Sequence, residues 1–449
     1  MAFRFLYLFL KNQILSYKAT MLKEKIANKL KSKQSKNFII YGFGQAVNLV
    51  SPLLVVPYIV FVCGEEGLGK AGVGFSFALI AIVLIDYGSY INGTKEVAIH
   101  HANKAVLEEK FTTIYLSKLL LLLTVLLISS LIIFTVPFFQ KDKLQLLLSL
   151  LIVVGQFINP TWFFQGIQNF KWISIINVLS KGIYVSSVFL LIKKPEDYIY
   201  INTLLGLGLI LASSFGFLWI YNHYSFSLKS ASLPKALGLI KNEFSLTLSQ
   251  LFFSFYQYAP IILISYVCGD FIAGQYRIID QVIMIFRTYF QMFFNFIYAN
   301  ICLGIYRDVK SGIYNWKIKN GLNYLMVLSI LVIFYFNTDT ILLFFKVNVT
   351  DISTLGSYFK LGLLIPVFMG ISFTLKQLMF SFNKNKEYIQ ITFFSTIVSL
   401  TIMVFLLQNI GLKGAFISTI LAEILFIILY FYILIVKMKI NSKDEGSNS

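Results

Sequence analysis

Residues 119–136 read LLLLLTVLLISSLIIFTV, an uncharged run inside a longer apolar stretch over 111–136. An α-helix rises about 1.5 Å per residue, so roughly 20 apolar residues cross the ~30 Å hydrocarbon core of a bilayer. The stretch meets this length with a single lysine. It therefore predicts a membrane-spanning helix.

The composition of the whole chain agrees with this prediction. Of the 449 residues, 57% are apolar and only 13% are charged, with a mean hydropathy of +0.77. A soluble domain carries about 25% charged residues, so a soluble enzyme and a disordered chain are both excluded. The net charge of +18 indicates cytoplasmic loops that face anionic membrane lipids, rather than a nucleic-acid partner.

Eleven further apolar windows have comparable lengths. We predict an all-α polytopic membrane protein with twelve transmembrane helices, at 38–62, 72–92, 111–136, 144–161, 173–192, 199–221, 244–268, 271–300, 321–338, 355–382, 388–408 and 414–436. With the N-terminus inside, the inner segments hold 25 Lys and Arg residues and the outer loops hold seven. Lys and Arg concentrate in cytoplasmic loops, so we expect both termini in the cytoplasm.

The two halves of the chain resemble each other at an offset of 205 residues. Val62-Cys63-Gly64-Glu65 closes the first predicted span and Val267-Cys268-Gly269-Asp270 closes the seventh, while Gly69 corresponds to Gly274. An even number of spans per half gives two parallel six-helix lobes, an arrangement found in transporters. The predicted domains are a basic cytoplasmic or interfacial segment at 1–37, an N-lobe at 38–221, a linker at 222–243, a C-lobe at 244–436 and a cytoplasmic tail at 437–449.

Nine ionisable residues fall inside the predicted spans. They are Asp86, Lys118, Lys181, Arg277, Asp280, Arg287, Lys360, Lys376 and Glu423. A charge that faces lipid at mid-bilayer costs roughly 2.5–3.5 kcal/mol, so we expect most of them to face an interior cavity or to pair. Six cations and three acids make that interior net cationic. Lys360 and Lys376 lie nearer to helix ends, where snorkelling toward the interface remains an alternative.

The eighth predicted span carries the densest group of these charges. Arg277, Asp280 and Arg287 lie within about 80° of one another around a helix and so share a face. The guanidinium fork suits phosphate oxygens. An Arg277–Asp280 pair that only locks helices together is the alternative, and it leaves Arg287 without an acid on its own helix. In the N-lobe, we expect Asp86 to pair with Lys118 or Lys181 and to leave one positive charge over.

Several short motifs together resemble those of one family, the O-antigen (Wzx-type) flippases. They are the run from Asn37-Phe38 through Pro52 to Pro57-Tyr58, then Gly64-Glu65-Glu66-Gly67-Leu68-Gly69, Asp86-Tyr87-Gly88, Thr94-Lys95-Glu96, Trp162-Phe163-Phe164-Gln165-Gly166 and residues 269–290. The likeness covers roughly 37–436. It implies membership of the multidrug/oligosaccharidyl-lipid/polysaccharide (MOP) exporter superfamily and a V-shaped pair of six-helix lobes, as in the MATE fold.

The resemblance also implies a function. A flippase of this family moves undecaprenyl-diphosphate-linked oligosaccharide units outward across the bacterial inner membrane, in a pathway that includes a polysaccharide polymerase and a chain-length regulator. Substrate-binding candidates are Arg277, Arg287, Lys118, Lys181, Lys360 and Lys376, and Asp86, Asp280 and Glu423 are coupling or ion-pair candidates. A membrane glycosyl polymerase or ligase, and a small-molecule exporter of the same superfamily, are the alternatives.

No motif in the sequence indicates catalysis, a metal site or a cofactor. The three cysteines form no CxxC pair, and no P-loop sequence is present. We therefore predict a transporter rather than an enzyme, without ATP hydrolysis by this chain. Translation could start at Met1 or at Met21.

Overall fold

The computed structural model describes residues 33–87, 92–227 and 231–446, with side chains omitted at 33–39, 41, 245, 246, 249, 299 and 436–446. Within these ranges the regular secondary structure consists of helices, which are joined by turns and short loops. Most of the predicted basic segment at 1–37 lies outside them, as do residues 228–230 of the linker and the last three residues of the tail. The all-α prediction is confirmed for the described part of the chain.

The described residues of the N-terminal half form eight α-helices and one 3₁₀-helix at Pro195–Tyr200. The α-helices are α1 (Lys33–Asp86), α2 (Thr94–His100), α3 (Lys104–Thr135), α4 (Pro137–Gln140), α5 (Lys143–Ile158), α6 (Thr161–Gly166), α7 (Phe170–Leu191) and α8 (Ile201–Tyr224).

Over 231–446, the described part of the C-terminal half, there are eight α-helices and a short 3₁₀-helix at Val349–Asp351. The α-helices are α9 (Leu233–Cys268), α10 (Asp270–Arg307), α11 (Val309–Phe336), α12 (Thr338–Phe344), α13 (Ile352–Gly362), α14 (Leu364–Ser381), α15 (Asn385–Ile410) and α16 (Leu412–Gly446).

Helix α1 consists of two arms that meet at Gly64. Gly64 has φ 72° and ψ 176°, in the left-handed region that favours glycine. Gln45 in the first arm and Asp86 at the end of the second line the same cavity, so the arms run antiparallel. Gly269, between α9 and α10, has nearly the same conformation, with φ 91° and ψ 166°.

Ten described helical segments are long and apolar enough to cross a membrane, and α10, which bends by 42° near its end, makes eleven. One of the ten is Gly42–Asp86, whose two arms accommodate two crossings. The multi-span prediction is confirmed. The count of twelve and the orientation of the termini stay predictions.

Several helices begin or end at positions that differ from the predicted spans. The second arm of α1 ends at Asp86 rather than 92, where Tyr87 has φ 33°, so Asp86 lies at a helix end and not inside a span. Helix α3 begins at Lys104 rather than 111 because the Asn103 side chain accepts a hydrogen bond from the Val106 amide. Asp308 caps α11 in the same way, so that helix begins at Val309 rather than 321.

The beginnings of the second α1 arm and of α10 pack directly against each other. A Cβ atom at Gly69 would overlap the carbonyl oxygen of Asp270, and a Cβ atom at Gly274 would overlap that of Glu65. Gly69 corresponds to Gly274 and Glu65 corresponds to Asp270 at the offset of 205 residues. The two contacts are therefore equivalent under the internal repeat. The two helix starts are therefore related by an approximate two-fold axis, and the missing Cβ atoms allow backbone contact.

Candidate functional site

The first charged group lies at the predicted cytoplasmic end of the N-terminal half. The ammonium of Lys118, on a side chain only 2% exposed, lies 3.3 Å from Oδ1 of Asp86. It also donates to the carbonyl oxygen of Gln156, whose amide donates to Oδ2 of Asp86 at 2.9 Å. A buried charge is tolerated where it is paired and hydrogen-bonded. The sequence predicted that Asp86 pairs with Lys118 or Lys181, and the partner is Lys118.

Lys181 has no acidic partner among the described residues. Its Nζ lies 5.9 Å from the ring centroid of Tyr184, and it forms no ion pair with a described residue. Asn177 lies one helical turn earlier on α7, so the two side chains share a face. Lys181 is therefore the uncompensated cation that the sequence predicted for this half.

Arg277 connects the two halves. It donates from Nη1 to Oδ2 of Asp280 at 3.1 Å, while its Cζ lies 5.0 Å from the centroid of the Phe75 ring in the N-terminal half. Its stem runs past Gly72, where an added Cβ would lie 3.7 Å from Cδ of Arg277. The pair named as an alternative role for these residues is thus present. It lies at the interface between halves rather than inside one bundle.

A second buried acid, Glu423, lies inside the C-terminal half. The carboxylate is 3% exposed and accepts hydrogen bonds from Tyr256 at 2.7 Å and Ser372 at 2.5 Å. Arg287 and Lys376 line the same cavity of about 30 Å³. Among its described lining residues, this cavity therefore has two basic side chains and one acidic side chain.

Lys376 is enclosed by aromatic rings instead of snorkelling. Its Nζ lies between 5.1 and 5.9 Å from five ring centroids, those of Phe253, Phe294, Phe373, Phe380 and Tyr388. A cation over the face of an aromatic ring is attracted by the ring quadrupole. The structure therefore fixes this ammonium inside the C-terminal half.

Arg287, like Lys181, forms no ion pair with a described residue. Its Nη1 lies 2.9 Å from Sδ of Met284, a weak acceptor. Asp280, seven residues earlier on α10, forms its ion pair with Arg277. Arg277, Asp280 and Arg287 thus form a line of charge from the interface to the C-terminal cavity.

Lys360 is separated from all of these groups. It is exposed, and its Nζ lies 5.2 Å from the ring centroid of Tyr335. Helix α13 ends at Gly362 and α14 begins at Leu364, so Lys360 and Lys376 do not share one continuous helix. The structure does not bring Lys360 to the other predicted site residues.

The structure also reveals a group of amide side chains that the charge-based reasoning missed. A cavity of about 180 Å³ in the N-terminal half is lined by six amides, which are those of Gln45, Asn48, Gln156, Asn159, Gln165 and Asn177. Asp86 and Trp162 are also among its lining residues. The only available sequence signal was the presence of neutral polar residues within or beside apolar spans.

The two halves are also tied at the end predicted to face the cytoplasm. Lys235 of α9 pairs with Glu109 of α3 at 2.7 Å, and Asn92 donates to both oxygens of Glu243 at 2.6 and 2.7 Å. Nearby, a hydrogen bond from the Lys110 ammonium holds the pKa of Glu96 below its usual value. None of these residues was among the predicted site residues.

An apolar groove of about 650 Å³ lies between the halves. One wall comes from the second α1 arm and α3, including Phe77 and Val125, and the other from α9 and α15, including Phe255 and Ala259. Ile128 in this wall is 48% exposed. Helix α9 separates the groove from the Glu423 cavity, which Tyr256 of the same helix lines.

Comparison with known sequences identifies the family. Residues 35–299, more than half of the chain, match the family described as polysaccharide biosynthesis protein. The chain belongs to that family.

Two curated relatives of this chain are named as O-antigen transporters. The relative from Escherichia coli (strain K12) is 22% identical over 242 residues, which is 54% of this chain and 58% of the relative. The relative from Shigella dysenteriae is 20% identical over 249 residues, or 56% of this chain and 62% of the relative. The matches thus span about three fifths of each relative.

Solved structures with the same fold belong to the MOP superfamily. An inward-facing MATE multidrug transporter superposes with a TM-score of 0.67 at 14% identity, covering 90% of this chain and 96% of that one. The lipid II flippase MurJ, in an inward closed conformation, gives 0.65 at 15% identity, with 89% and 87% covered. An outward-facing MATE transporter gives 0.55 at 15% identity, with 93% and 98% covered.

These findings confirm the predicted fold class and the multi-pass membrane location expected for a bacterial inner-membrane protein. The relatives and fold neighbours named above are transporters and flippases rather than enzymes, in agreement with the prediction. The roles of the predicted site residues and the domain boundaries stay predictions.

Proposed function

We propose that the chain is a flippase that moves undecaprenyl-diphosphate-linked oligosaccharide units from the inner to the outer leaflet by alternating access. The observation that carries this proposal is the combination of an apolar groove of about 650 Å³ between the halves with interior cations on either side of it. A lipid-linked diphosphate needs both environments at once.

The groove provides the environment for the polyprenyl tail. Each buried methylene contributes about 0.8 kcal/mol, so a long apolar chain favours a continuous apolar wall. Phe77, Phe255 and Ile262 supply such a wall from both halves. A lateral groove lets the tail stay in contact with lipid while the polar head crosses.

The interior cations provide the environment for the diphosphate. Arg277 and Arg287 offer planar forks of donors, and Lys181 offers an ammonium without an acidic partner among the described residues. Lys118 is already neutralised by Asp86, so its proposed role is to hold that carboxylate in place. In this proposal, Lys376 contributes its charge beside Glu423 inside the aromatic enclosure. Lys360 lies over the Tyr335 ring and lines none of the cavities described above.

Glu423 is the best of the three proposed coupling residues. Asp86 and Asp280 each form an ion pair within their group, at 3.3 and 3.1 Å. Glu423 is instead held by two hydroxyls, with two cations nearby. A proton or cation that binds there would change the charge balance of the C-terminal cavity.

The likeness to MATE transporters supports small-molecule export as a second candidate. Drugs expelled by such exporters include cations, and an interior with more cations than acids disfavours them. The amide cavity and the family match to polysaccharide biosynthesis favour the glycolipid.

Reconstitution tests the proposal. Purified protein is placed in liposomes that contain undecaprenyl-diphosphate-linked oligosaccharide with a fluorescent label on the sugar. We expect protein-dependent exposure of inner-leaflet label to an impermeant quencher, slowed about tenfold or more by Arg287→Glu, since a charge-assisted contact contributes roughly 1.5–3 kcal/mol. Arg307→Glu, at the exposed end of the same helix, is the control. No difference between protein-containing and empty liposomes would refute the flippase.

A further inference from the structure

The cavity with six amides lies in the N-terminal half, between the first arm of α1, the end of α5, helix α6 and the start of α7. Its volume is about 180 Å³. One water occupies about 30 Å³ of liquid, so the cavity has the space of about six waters. That space suits a single sugar ring rather than a whole oligosaccharide.

Some of these amides are already occupied by hydrogen bonds inside the protein. Gln156 donates to Asp86 at 2.9 Å, and Oδ1 of Asn159 accepts from the Thr161 amide at 3.1 Å and from its hydroxyl at 2.5 Å. Asn48 donates to Oε1 of Gln45 at 3.4 Å. These bonds fix the orientation of four of the six amides, those of Gln45, Asn48, Gln156 and Asn159.

The two remaining amides have unused hydrogen-bonding capacity. The side chains of Gln165 and Asn177 line the cavity and make no hydrogen bond with a described residue. Each offers two N–H donors and a carbonyl acceptor. A ligand with several hydroxyls, each both donor and acceptor, matches this arrangement.

The charge of the cavity excludes phosphate as the ligand of these amides. Among the described residues, its only ionisable lining residue is Asp86, which pairs with Lys118. The remaining described wall is formed by Thr161, by Ile173 and by Trp162, a residue only 3% exposed. Amides together with an aromatic wall suit a neutral pyranose, which has polar edges and apolar faces.

The cavity also lies next to an uncompensated cation. Asn177 and Lys181 are four residues apart on one face of α7, about 6 Å along the helix axis. We propose that the cavity binds the neutral sugar attached directly to the diphosphate, while Lys181 contacts the phosphate. This inference rests on the proposed flippase function and adds to it the site that recognises the first sugar.

Binding measurements on the full-length protein in lipid nanodiscs test the proposal. The probes are undecaprenyl diphosphate alone and the same lipid carrying one N-acetylglucosamine, glucose or galactose. The measured quantity is the sugar increment, defined as the ratio of the Kd of the bare lipid to the lowest Kd among the glycosylated lipids. We expect an increment of about tenfold or more for the wild type, equivalent to two or so net hydrogen bonds.

Two variants of matched size remove the unused amides. We expect Asn177→Leu and Gln165→Met each to reduce the sugar increment severalfold while the Kd of the bare lipid stays unchanged, which also shows that the variants are folded. Asn409→Leu is the control, because Asn409 is exposed and donates to the Phe405 carbonyl of its own helix.

Three outcomes would overturn the inference, and they separate it from the proposed function. A wild type that binds bare and glycosylated lipids equally, or variants that keep the full increment, would refute the sugar site and leave the flippase proposal standing. A wild type that binds none of the lipids would refute both.

Discussion

At the scale of single residues, Lys118 and Asp86 show how a charge is kept inside an apolar bundle. Lys118 is nearly inaccessible, and both oxygens of its partner carboxylate are engaged, one by the ammonium and one by Gln156. Removing one member of a buried pair leaves the other charge uncompensated, whereas removing both does not.

We predict that Asp86→Asn lowers the free energy of unfolding by about 3 kcal/mol, because the Lys118 charge remains buried. The double variant Asp86→Asn/Lys118→Met should recover most of the loss. Denaturant titration in mixed micelles measures both. As a control, Glu66→Gln breaks the more exposed Lys70–Glu66 pair, which spans 2.8 Å, and should cost at most about 1 kcal/mol. Equal costs for Asp86→Asn and Glu66→Gln would contradict the prediction.

At the residue scale, the sequence predicted which charged side chains are enclosed but did not predict the amides that line a cavity. Charged residues within apolar spans are expensive enough that most had to face inward, and the structure encloses Lys118, Asp280, Arg287 and Glu423. Amides such as Gln165 and Asn177 carry no comparable penalty, so nothing in their spacing distinguished a cavity lining from a helix surface.

At the scale of elements, glycines decide how closely two helices approach. Gly69 and Gly274 place the backbones of the second α1 arm and α10 in direct contact. Gly182 lies in the interior of α7, and a Cβ there would meet no atom within 4 Å. The same substitution therefore has opposite expected effects at Gly274 and Gly182.

We predict that Gly274→Ala destabilises the purified protein by about 1–3 kcal/mol or more, because the added methyl group overlaps the Glu65 carbonyl. Gly182→Ala should be neutral or stabilising by up to about 1 kcal/mol, since alanine is the better helix former. Thermal unfolding of the two variants side by side makes the comparison. If Gly274→Ala unfolded at or above the temperature of Gly182→Ala, the close contact would not be present in the protein.

A second prediction at the scale of elements concerns the contact between α3 and α9 at the predicted inner end. With the three native cysteines replaced by alanine, we expect a cross-link between Glu109→Cys and Lys235→Cys to block transport and its reduction to restore transport, because the native 2.7 Å pair joins the two halves. Quencher accessibility in the liposome assay is the readout.

A matched control lies within the N-terminal half alone. Glu96 and Lys110 form an ion pair at 2.9 Å between α2 and α3, so a cross-link between Glu96→Cys and Lys110→Cys should leave transport intact. Full transport with the Glu109–Lys235 cross-link formed would mean that these helices need not separate.

Helix existence followed from the sequence more readily than helix ends. Apolar length identified the spans, since the bilayer sets a minimum. The ends depend on caps such as Asn103 and Asp308, whose polar side chains extend α3 and α11 beyond the apolar windows. The break between α13 and α14 lies within one apolar window, so the different environments of Lys360 and Lys376 were not predictable.

At the scale of the whole molecule, the halves touch at both ends. Gly69 and Gly274 contact the opposite half at the predicted outer end, while Glu109–Lys235 and Asn92–Glu243 connect the halves at the predicted inner end. Alternating access requires the two sets of contacts to break in turn, around the charges between them.

The most direct test of the account is to deplete the protein in cells and to determine on which membrane face the lipid-linked oligosaccharide accumulates. A flippase that works outward predicts accumulation on the inner face, with the glycan protected from an impermeant reagent added outside. Accumulation on the outer face would contradict the account and would favour a polymerase or ligase acting after translocation.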